Sequence, residues 1–401
     1  MLKGVAVLGL LMLHLFCRKA NLPYAPLLWL GNTPLVYYLG LFGDCCVPIF
    51  CFISGYAHYM QYEKQVPARS RWWHLLKFFL LLWVLAVLFA VAGLIMRSDS
   101  IPGSPVKFLL NCLTIENSYN GAWWYANTYL LLVILQPLSV RVAHRMPVAL
   151  SVVLAYCLYV VGYALRIPLA SRVQEALPTA AYWAVSRLAL FMTSYFTYTV
   201  GMVFRRCGVV GKLRTLTGHM RSWLVNILVA VGFLTMLVAH GIVQTMFVAV
   251  FTGLGTVCLL CLLRMPRPLM KVLCFLGDNS TCIWLSHMFF IFGTVRRACF
   301  PGGVGSAGLP ADAGALPAHV ICCPCSLQSA RETAPKAIVN PVAWFRRVIQ
   351  SDRSQNRGRL CIADAPGLFV YTLAFAVLHA SSAAVRMSRS RKGRRLVPIS
   401  W

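Results

Sequence analysis

The stretch FFLLLWVLAVLFAVAGLI, residues 78–95, contains no charged, amide or hydroxyl side chain. Because a helix needs about 20 mostly apolar residues to cross a bilayer, this stretch predicts a transmembrane helix, which we place at residues 74–96. Only His240 and Gly241 interrupt the apolar sequence between the predicted spans 222–240 and 242–263, so a tight hairpin is expected there. The other predicted spans are residues 2–17, 35–57, 123–142, 147–165, 182–204, 222–240, 242–263, 279–296 and 366–386.

The composition of the whole chain agrees with a membrane protein. Of its 401 residues, 59% are hydrophobic and 12% are charged, whereas a soluble domain has about 25% charged residues. The mean hydropathy is +0.70. These values exclude a soluble enzyme, and the abundance of aliphatic and aromatic residues excludes a mostly disordered chain. We therefore predict an all-α integral membrane protein with about ten transmembrane helices.

The formal net charge of +27 has two interpretations, affinity for nucleic acid or membrane topology. Lys and Arg are concentrated in alternate short loops and in the C-terminal tail, and they are sparse in the short loops between. Since cytoplasmic loops of membrane proteins are enriched in Lys and Arg, this asymmetry predicts cytoplasmic N- and C-termini. We expect a multi-pass protein of the cell membrane, with the lipid bilayer and not nucleic acid as its partner.

The predicted spans divide the chain into four parts. Residues 1–296 form a membrane domain of nine spans, and residues 366–386 form its final span. Residues 297–365 keep no helical or alternating apolar period and are rich in Gly, Ala, Pro, Arg and Ser. They predict a long, mobile extracytoplasmic loop. Residues 387–401 form a basic cytoplasmic tail.

Lys3 and His14 are the polar residues of the first predicted span. Their separation of 11 residues is close to three helical turns, so both lie on one helix face, about 16 Å apart along the axis. Ionisable groups inside a span are costly and mark functional sites. His14 is either a structural residue bonded to a neighbouring helix or a general base. Lys3 is either an anchor at the membrane edge or part of the same site.

Four segments, in order, resemble the acyltransferase 3 family of integral membrane enzymes. The family begins with a basic residue, usually Arg, then ten residues, then His; here Lys3 takes the place of the Arg. The other three matches are VPIFCFISGY at 47–56, AWWY at 122–125, and LGDNS at 276–280 with IWLSH at 283–287.

The resemblance implies an enzyme that transfers acyl groups, commonly acetyl, from cytoplasmic acyl-CoA to a hydroxyl of a surface or lipid-linked carbohydrate. It implies that His14 is the general base and that Lys3 holds the donor or orients the site. Acyl-CoA, in the first place acetyl-CoA, is then a co-substrate and not a permanently bound cofactor.

The resemblance also implies a donor-binding site. The family carries two Arg residues three positions apart in the first cytoplasmic loop. Here Arg71 matches the first Arg, His74 takes the place of the second, and Lys77 lies one turn further on. The phosphates of acyl-CoA need cationic partners; the alternative is an ordinary basic loop. Arg187, inside the sixth span, binds a donor phosphate, pairs with an acid, or extends towards the outer membrane edge.

Three aromatic side chains are candidates for binding the acceptor substrate. Trp123 and Trp124 follow a predicted outer loop, where they act either as interfacial anchors or as a stacking platform for a sugar. His287 belongs to the family's penultimate-span pattern, with a structural hydrogen bond as its alternative role. Of the few acids near spans, Asp44 and Asp278 can orient a basic partner or cap a helix, and the sequence of Asp278-Asn279-Ser280 favours a helix start.

We predict no metal site. Cys258 and Cys261 form a Cys-x-x-Cys string, but it lies in an apolar helix without nearby ligands. His319, with Cys322, Cys323 and Cys325, matches no standard zinc spacing.

The alternative to an acyltransferase is a proton-coupled transporter, because ten spans with an intramembrane His and Arg fit one. The chain shows no paired inverted segments with broken helices, which would favour that alternative.

Overall fold

A computed structural model of the protein describes residues 1–19, 26–95, 98 and 100–291. The predicted loop 297–365, the final span 366–386 and the tail 387–401 lie outside the described residues, as does the end of the ninth span. The helices are α1 Leu2–Phe16, α2 Leu35–Phe42, α3 Cys46–Glu63, α4 Ala68–Ile95, α5 Pro105–Cys112, α6 Trp124–Arg145, α7 Val148–Arg166, α8 Ala170–Ala176, α9 Thr179–Arg206, α10 Val209–Leu216, α11 Ser222–Ile242, α12 Ala249–Leu262, α13 Arg267–Asp278 and α14 Ser280–Ile291.

The helical membrane class is confirmed. Within the described ranges, five helical segments are long and apolar enough to cross a membrane: Leu35–Glu63, Ala68–Ile95, Gly121–Arg145, Val148–Arg166 and Ser222–Ile242. Three shorter apolar helices are Leu2–Phe16, Ala249–Leu262 and Ser280–Ile291. The total of ten spans and the cytoplasmic position of both termini stay predictions.

A small β-hairpin departs from the predicted all-α fold. Strand β1 (Trp29–Leu30) pairs antiparallel with strand β2 (Thr33–Pro34) just before α2. Gly31, the first of the two turn residues, has a φ of +59°. Glycine adopts such a conformation at no steric cost.

The second predicted span, residues 35–57, lies within the helical segment Leu35–Glu63, in which the 3₁₀ segment Gly43–Cys45 joins α2 to α3. The predicted boundary between the spans 222–240 and 242–263 is wrong. His240 and Gly241 do not form a hairpin. They lie inside α11, and residues 243–248 make the turn to α12. Only Gln244 and Thr245 interrupt the apolar sequence there, so hydropathy alone does not locate the turn. Gln244 stabilises it by donating to the carbonyl of Gly241 at 2.9 Å.

The relative directions of the first helices show which residues lie at the same end of the bundle. Gly40 on α2 packs against the backbone of Phe16 and Cys17, and Gly43 packs against the backbone of Gly9. The α2–α3 segment therefore runs antiparallel to α1. Consequently the end of α3 and the start of α4 lie at the end of the bundle that carries Lys3, which the charge pattern predicts to be cytoplasmic.

Gly55, in the Ser-Gly-Tyr motif of α3, allows the closest helix contact of the core. A Cβ atom at Gly55 would overlap the backbone carbonyl of Tyr198 on α9, and a Cβ at Gly201 would overlap that of Phe52. Small residues at helix crossings let backbones approach in membrane proteins. The motif is thus explained by packing.

Replacing Gly55 with Val is expected to force α3 and α9 apart and to destabilise the fold by roughly 1–3 kcal/mol or more, as in overpacked cores. The measurement is the melting temperature and monodispersity of the detergent-solubilised protein. Gly211→Val on α10 is the matched control, because a Cβ there meets no atom within 4 Å. Equal behaviour of the two variants would contradict the packing role of Gly55.

Candidate functional site

His14 lies in the last turn of α1, beside a second imidazole. The ring centroids of His14 and His287 are 5.0 Å apart and the ring planes are tilted by 41°. His287, on α14, is only 3% exposed, and its Nδ1 lies 2.7 Å from the carbonyl oxygen of Trp284. The structure thus brings together two of the predicted site residues, although the sequence predicted His14 as a general base and His287 as a candidate for acceptor binding.

Lys3 lies at the opposite end of α1. Helix α13 crosses α1 there, because Gly4 packs against the backbone of Leu273 and Gly277 against Lys3. A Coulombic interaction links Lys3 to Asp278, the last residue of α13. Asp278 ends α13, and the next helix begins two residues later at Ser280, close to the helix start predicted there. The role of Asp278 in orienting Lys3 stays a prediction.

Arg71 is on a helix and not in a loop, because α4 begins at Ala68, six residues before the predicted start. Arg71 lies one and two turns before the buried Leu75 and Phe78, so it shares their inward face. Its Nε is buried and has no hydrogen-bond partner among the described residues. This cation is directed towards the bundle.

Two polar residues near Arg71 were not identified from the sequence. His58 on α3 and Tyr198 on α9 lie close enough to Arg71 to be affected by its charge. His58 is 8% exposed, and its Nδ1 lies 2.8 Å from the hydroxyl of Tyr198. The signal in the sequence was a histidine near the end of an apolar span, one turn after Ser-Gly-Tyr. These residues form a polar cluster, Arg71–His58–Tyr198, at the Lys3 end of the bundle.

His74 and Lys77 are exposed, unlike Arg71. The Nδ1 of His74 lies 2.6 Å from the carbonyl oxygen of Ser70, and Lys77 Nζ lies 5.4 Å from the centre of the Trp73 ring. Of the three donor-binding residues predicted at 71–77, one therefore points into the bundle and two lie at its surface.

Arg187 lies far from this cluster. On α9 it precedes Tyr198 by 11 residues, which is about 16 Å along the helix. With the amide of Asn117 oriented to donate to the Glu116 carbonyl, the Asn117 oxygen accepts from Arg187 Nη1 at 3.2 Å. Arg187 also lies 5.5 Å from the ring of Trp183. The structure does not bring Arg187 together with Arg71, and its predicted contact with donor phosphate stays a prediction.

The two tryptophans differ in exposure. Trp123 is fully buried, and its Nε1 donates to the carbonyl of Leu285 at 2.9 Å. Trp124 is half-buried, and the guanidinium of Arg166 lies 5.6 Å from its ring centre. As folded, Trp123 offers no face to a sugar, so the ring that remains accessible for stacking is that of Trp124.

Asp44 lies in the 3₁₀ break between α2 and α3 and faces His240 near the end of α11. Asp44 Oδ2 is 3.3 Å from His240 Nε2, and the side chains are 6% and 1% exposed. Buried charges in a membrane are costly unless paired. This pair connects the helix break to α11. The sequence offered Asp44 as a residue that orients a basic partner or caps a helix, but it did not identify His240 as that partner.

Within residues 1–19, 26–95, 98 and 100–291, no group of three or more His, Cys, Asp or Glu side chains is placed to hold a metal ion. Cys258 and Cys261 are free thiols on α12. The group of His319 with Cys322, Cys323 and Cys325 lies outside the described residues.

The comparison with protein families gives one match. The acyltransferase 3 model, described as an acyltransferase domain, matches residues 1–306. That range contains all four of the sequence segments quoted above and every described residue of the site. No curated protein and no solved structure matches the chain.

Proposed function

Because this chain belongs to the acyltransferase 3 family, we propose that it is a membrane O-acyltransferase with His14 as its general base. The donor is acyl-CoA from the cytoplasm, and acetyl is the acyl group that we expect first. The acceptor is a hydroxyl of a surface or lipid-linked carbohydrate, and the enzyme resides in the cell membrane. The observation that carries this proposal is the position of His14, in the last turn of a central helix beside a buried second imidazole.

The proposed reaction moves one proton and one acyl group. A neutral ring nitrogen of His14 takes the proton of the acceptor hydroxyl while the oxygen attacks the thioester carbonyl. The new C–O bond forms, the C–S bond breaks, and the coenzyme A thiolate leaves. The imidazolium of His14 then returns its proton to that thiolate, so the base is regenerated.

The two ends of the bundle suit the two substrates. The Arg71–His58–Tyr198 cluster lies at the predicted cytoplasmic end, where a buried guanidinium nitrogen without a partner can bind a donor phosphate. Lys3 lies at the same end and holds or orients the donor. His14 lies about 16 Å further along α1. A donor anchored near Arg71 would extend its acyl arm into the bundle, and Trp124 would contact the acceptor.

Donor turnover by the purified protein tests the proposal. The full chain in detergent is mixed with acetyl-CoA, and the release of free thiol is followed with a thiol reagent, with and without added carbohydrate acceptors. An acyltransferase releases thiol and labels the acceptor. Absence of thiol release with every acyl-CoA tried, from a well-folded sample, would reject the proposal.

Replacing His74 with Arg is expected to strengthen donor binding. Arg restores the second family cation and adds a planar group that binds phosphate with two hydrogen bonds. We expect the KM for acyl-CoA to fall by about 3- to 10-fold, since an exposed hydrogen bond contributes roughly 0.5–1.5 kcal/mol, with kcat unchanged. His74→Gln is the matched control without charge. An equal KM in both variants would show that residue 74 does not contact the donor.

A proton-coupled transporter is the second candidate, and the Asp44–His240 pair favours it. Buried ionisable pairs at helix breaks occur in transporter binding sites. The two candidates make opposite predictions in sealed vesicles. A transporter accumulates solute in response to a proton gradient and releases no thiol from acyl-CoA, whereas an acyltransferase consumes acyl-CoA without a gradient.

A further inference from the structure

His287 has one satisfied and one unsatisfied ring nitrogen. Its Nδ1 lies 2.7 Å from the carbonyl oxygen of Trp284. A carbonyl oxygen can only accept, so Nδ1 carries the proton. In a neutral imidazole the other nitrogen, Nε2, is then an acceptor. That Nε2 is buried and has no hydrogen-bond partner in the described part of the chain.

His14 can supply the missing donor. Its ring centroid is 5.0 Å from that of His287, and ring nitrogens extend outward from each centroid. A rotation of the His14 ring can therefore bring a nitrogen within about 3 Å of Nε2, the range of a hydrogen bond. Catalytic hydrogen bonds are often long without substrate and shorten in the substrate complex. The two rings lie on different helices, α1 and α14, so the contact depends on the packing of the bundle.

We propose that His287 is a positioning residue for His14. Its Nε2 accepts the hydrogen bond of one His14 nitrogen, which leaves the other His14 nitrogen unprotonated and directed at the acceptor hydroxyl. The inference rests on the proposed role of His14 as the base. A third group that orients a base in this way is a general feature of nucleophilic sites.

The proton balance of the reaction is unchanged by this assignment. The hydroxyl proton moves to the free nitrogen of His14 and later to the departing thiolate. His287 gains and loses no proton, because its Nδ1 stays bonded to the Trp284 carbonyl. Its contribution is to hold the imidazolium of His14, whose N–H forms a stronger hydrogen bond than that of the neutral ring.

The test uses His287→Leu and His287→Gln in the full-length protein. Leu fills a similar volume without an acceptor, whereas the amide oxygen of Gln reaches the region of Nε2. We expect Leu to lower kcat by about 10- to 100-fold, the effect of a hydrogen bond to a charged group. The KM for acyl-CoA and for the acceptor should stay unchanged, and Gln should recover most of kcat.

Three results would overturn the inference. The first is an unchanged kcat in His287→Leu. The second is a raised acceptor KM with normal kcat, which would make His287 a substrate-binding residue. The third is an equal loss in Gln and Leu, which would indicate a packing role for the ring. If Leu prevents folding, Gln is compared with His287→Asn, whose shorter amide does not reach Nε2; equal kcat for these two is then the contradicting result.

Failure of this inference is distinguishable from failure of the proposed function. Full activity in His14→Ala would show that His14 is not the general base, and it would reject the function as proposed. An inactive His14→Ala together with a fully active His287→Leu would leave the function intact and reject only the positioning role.

Discussion

Replacing His14 with Ala is expected to lower kcat for acyl transfer by about 100- to 10,000-fold, the range of general-base catalysis. The methyl group of Ala cannot accept the hydroxyl proton, so the oxygen would have to attack while still protonated. Binding of acyl-CoA should persist, because the Arg71–His58–Tyr198 cluster lies at the other end of the bundle. The measurement is the rate of thiol release and acceptor labelling over a range of donor concentrations.

His219→Ala is the matched control for His14→Ala. His219 is an exposed imidazole between α10 and α11, so its removal changes the histidine content without touching the bundle. We expect its kcat to stay within a factor of about two, as for most surface substitutions. Equal rates in the two variants would show that His14 is not the base.

Replacing Arg71 with Gln is expected to raise the KM for acyl-CoA by about 10- to 100-fold, because a hydrogen bond between charged groups contributes roughly 1.5–3 kcal/mol. Its Nε is buried without a partner and faces the interior of the bundle. An anionic donor group therefore meets a cation whose hydrogen-bonding capacity is not already used. The measurement is the KM for acyl-CoA, with kcat at saturating donor measured in the same experiment.

Arg69→Gln distinguishes a specific contact from a general loss of positive charge. Arg69 is two residues earlier on α4 and is exposed, so both variants lose the same charge at the same end of the bundle. Arg69→Gln should change the KM by less than about twofold, as surface charges contribute little. A parallel rise in KM for both variants would indicate non-specific attraction of an anionic donor.

Residues 78–95 show why the fold class was predictable from the sequence. So long a stretch without a charged, amide or hydroxyl side chain has few stable positions except within a bilayer, and α4 spans it. The break in the second span was not predictable in this way. It depends on the close contact between Gly43 and the backbone of Gly9 on α1, and no local pattern encodes a contact between two helices.

The candidate site was predictable in part. The spacing of Lys3 and His14 placed them three turns apart on one helix, and the structure has them at the two ends of α1. The direction of Arg71 was not predictable, because its charged neighbours suggested a loop. Its inward position follows only from the observed start of α4 and the buried Leu75 that shares its face.

The contact between His14 and His287 was also beyond the sequence. The two residues are 273 positions apart, and hydropathy ranks both as ordinary interruptions of apolar helices. Only the packing of α14 against α1 brings the rings to 5.0 Å. A buried polar atom without a partner, such as Nε2 of His287, is visible only once the surrounding helices are placed.

The most direct test of the central claim is mass spectrometry of cell-surface and lipid-linked glycans. Three cell lines are compared, one without the protein, one producing it, and one producing the His14→Ala variant at the same level in the membrane. The account predicts glycans heavier by the mass of one acyl group, acetyl first, in the second line alone. The same added mass in the His14→Ala line, or identical glycans in all three, would contradict it.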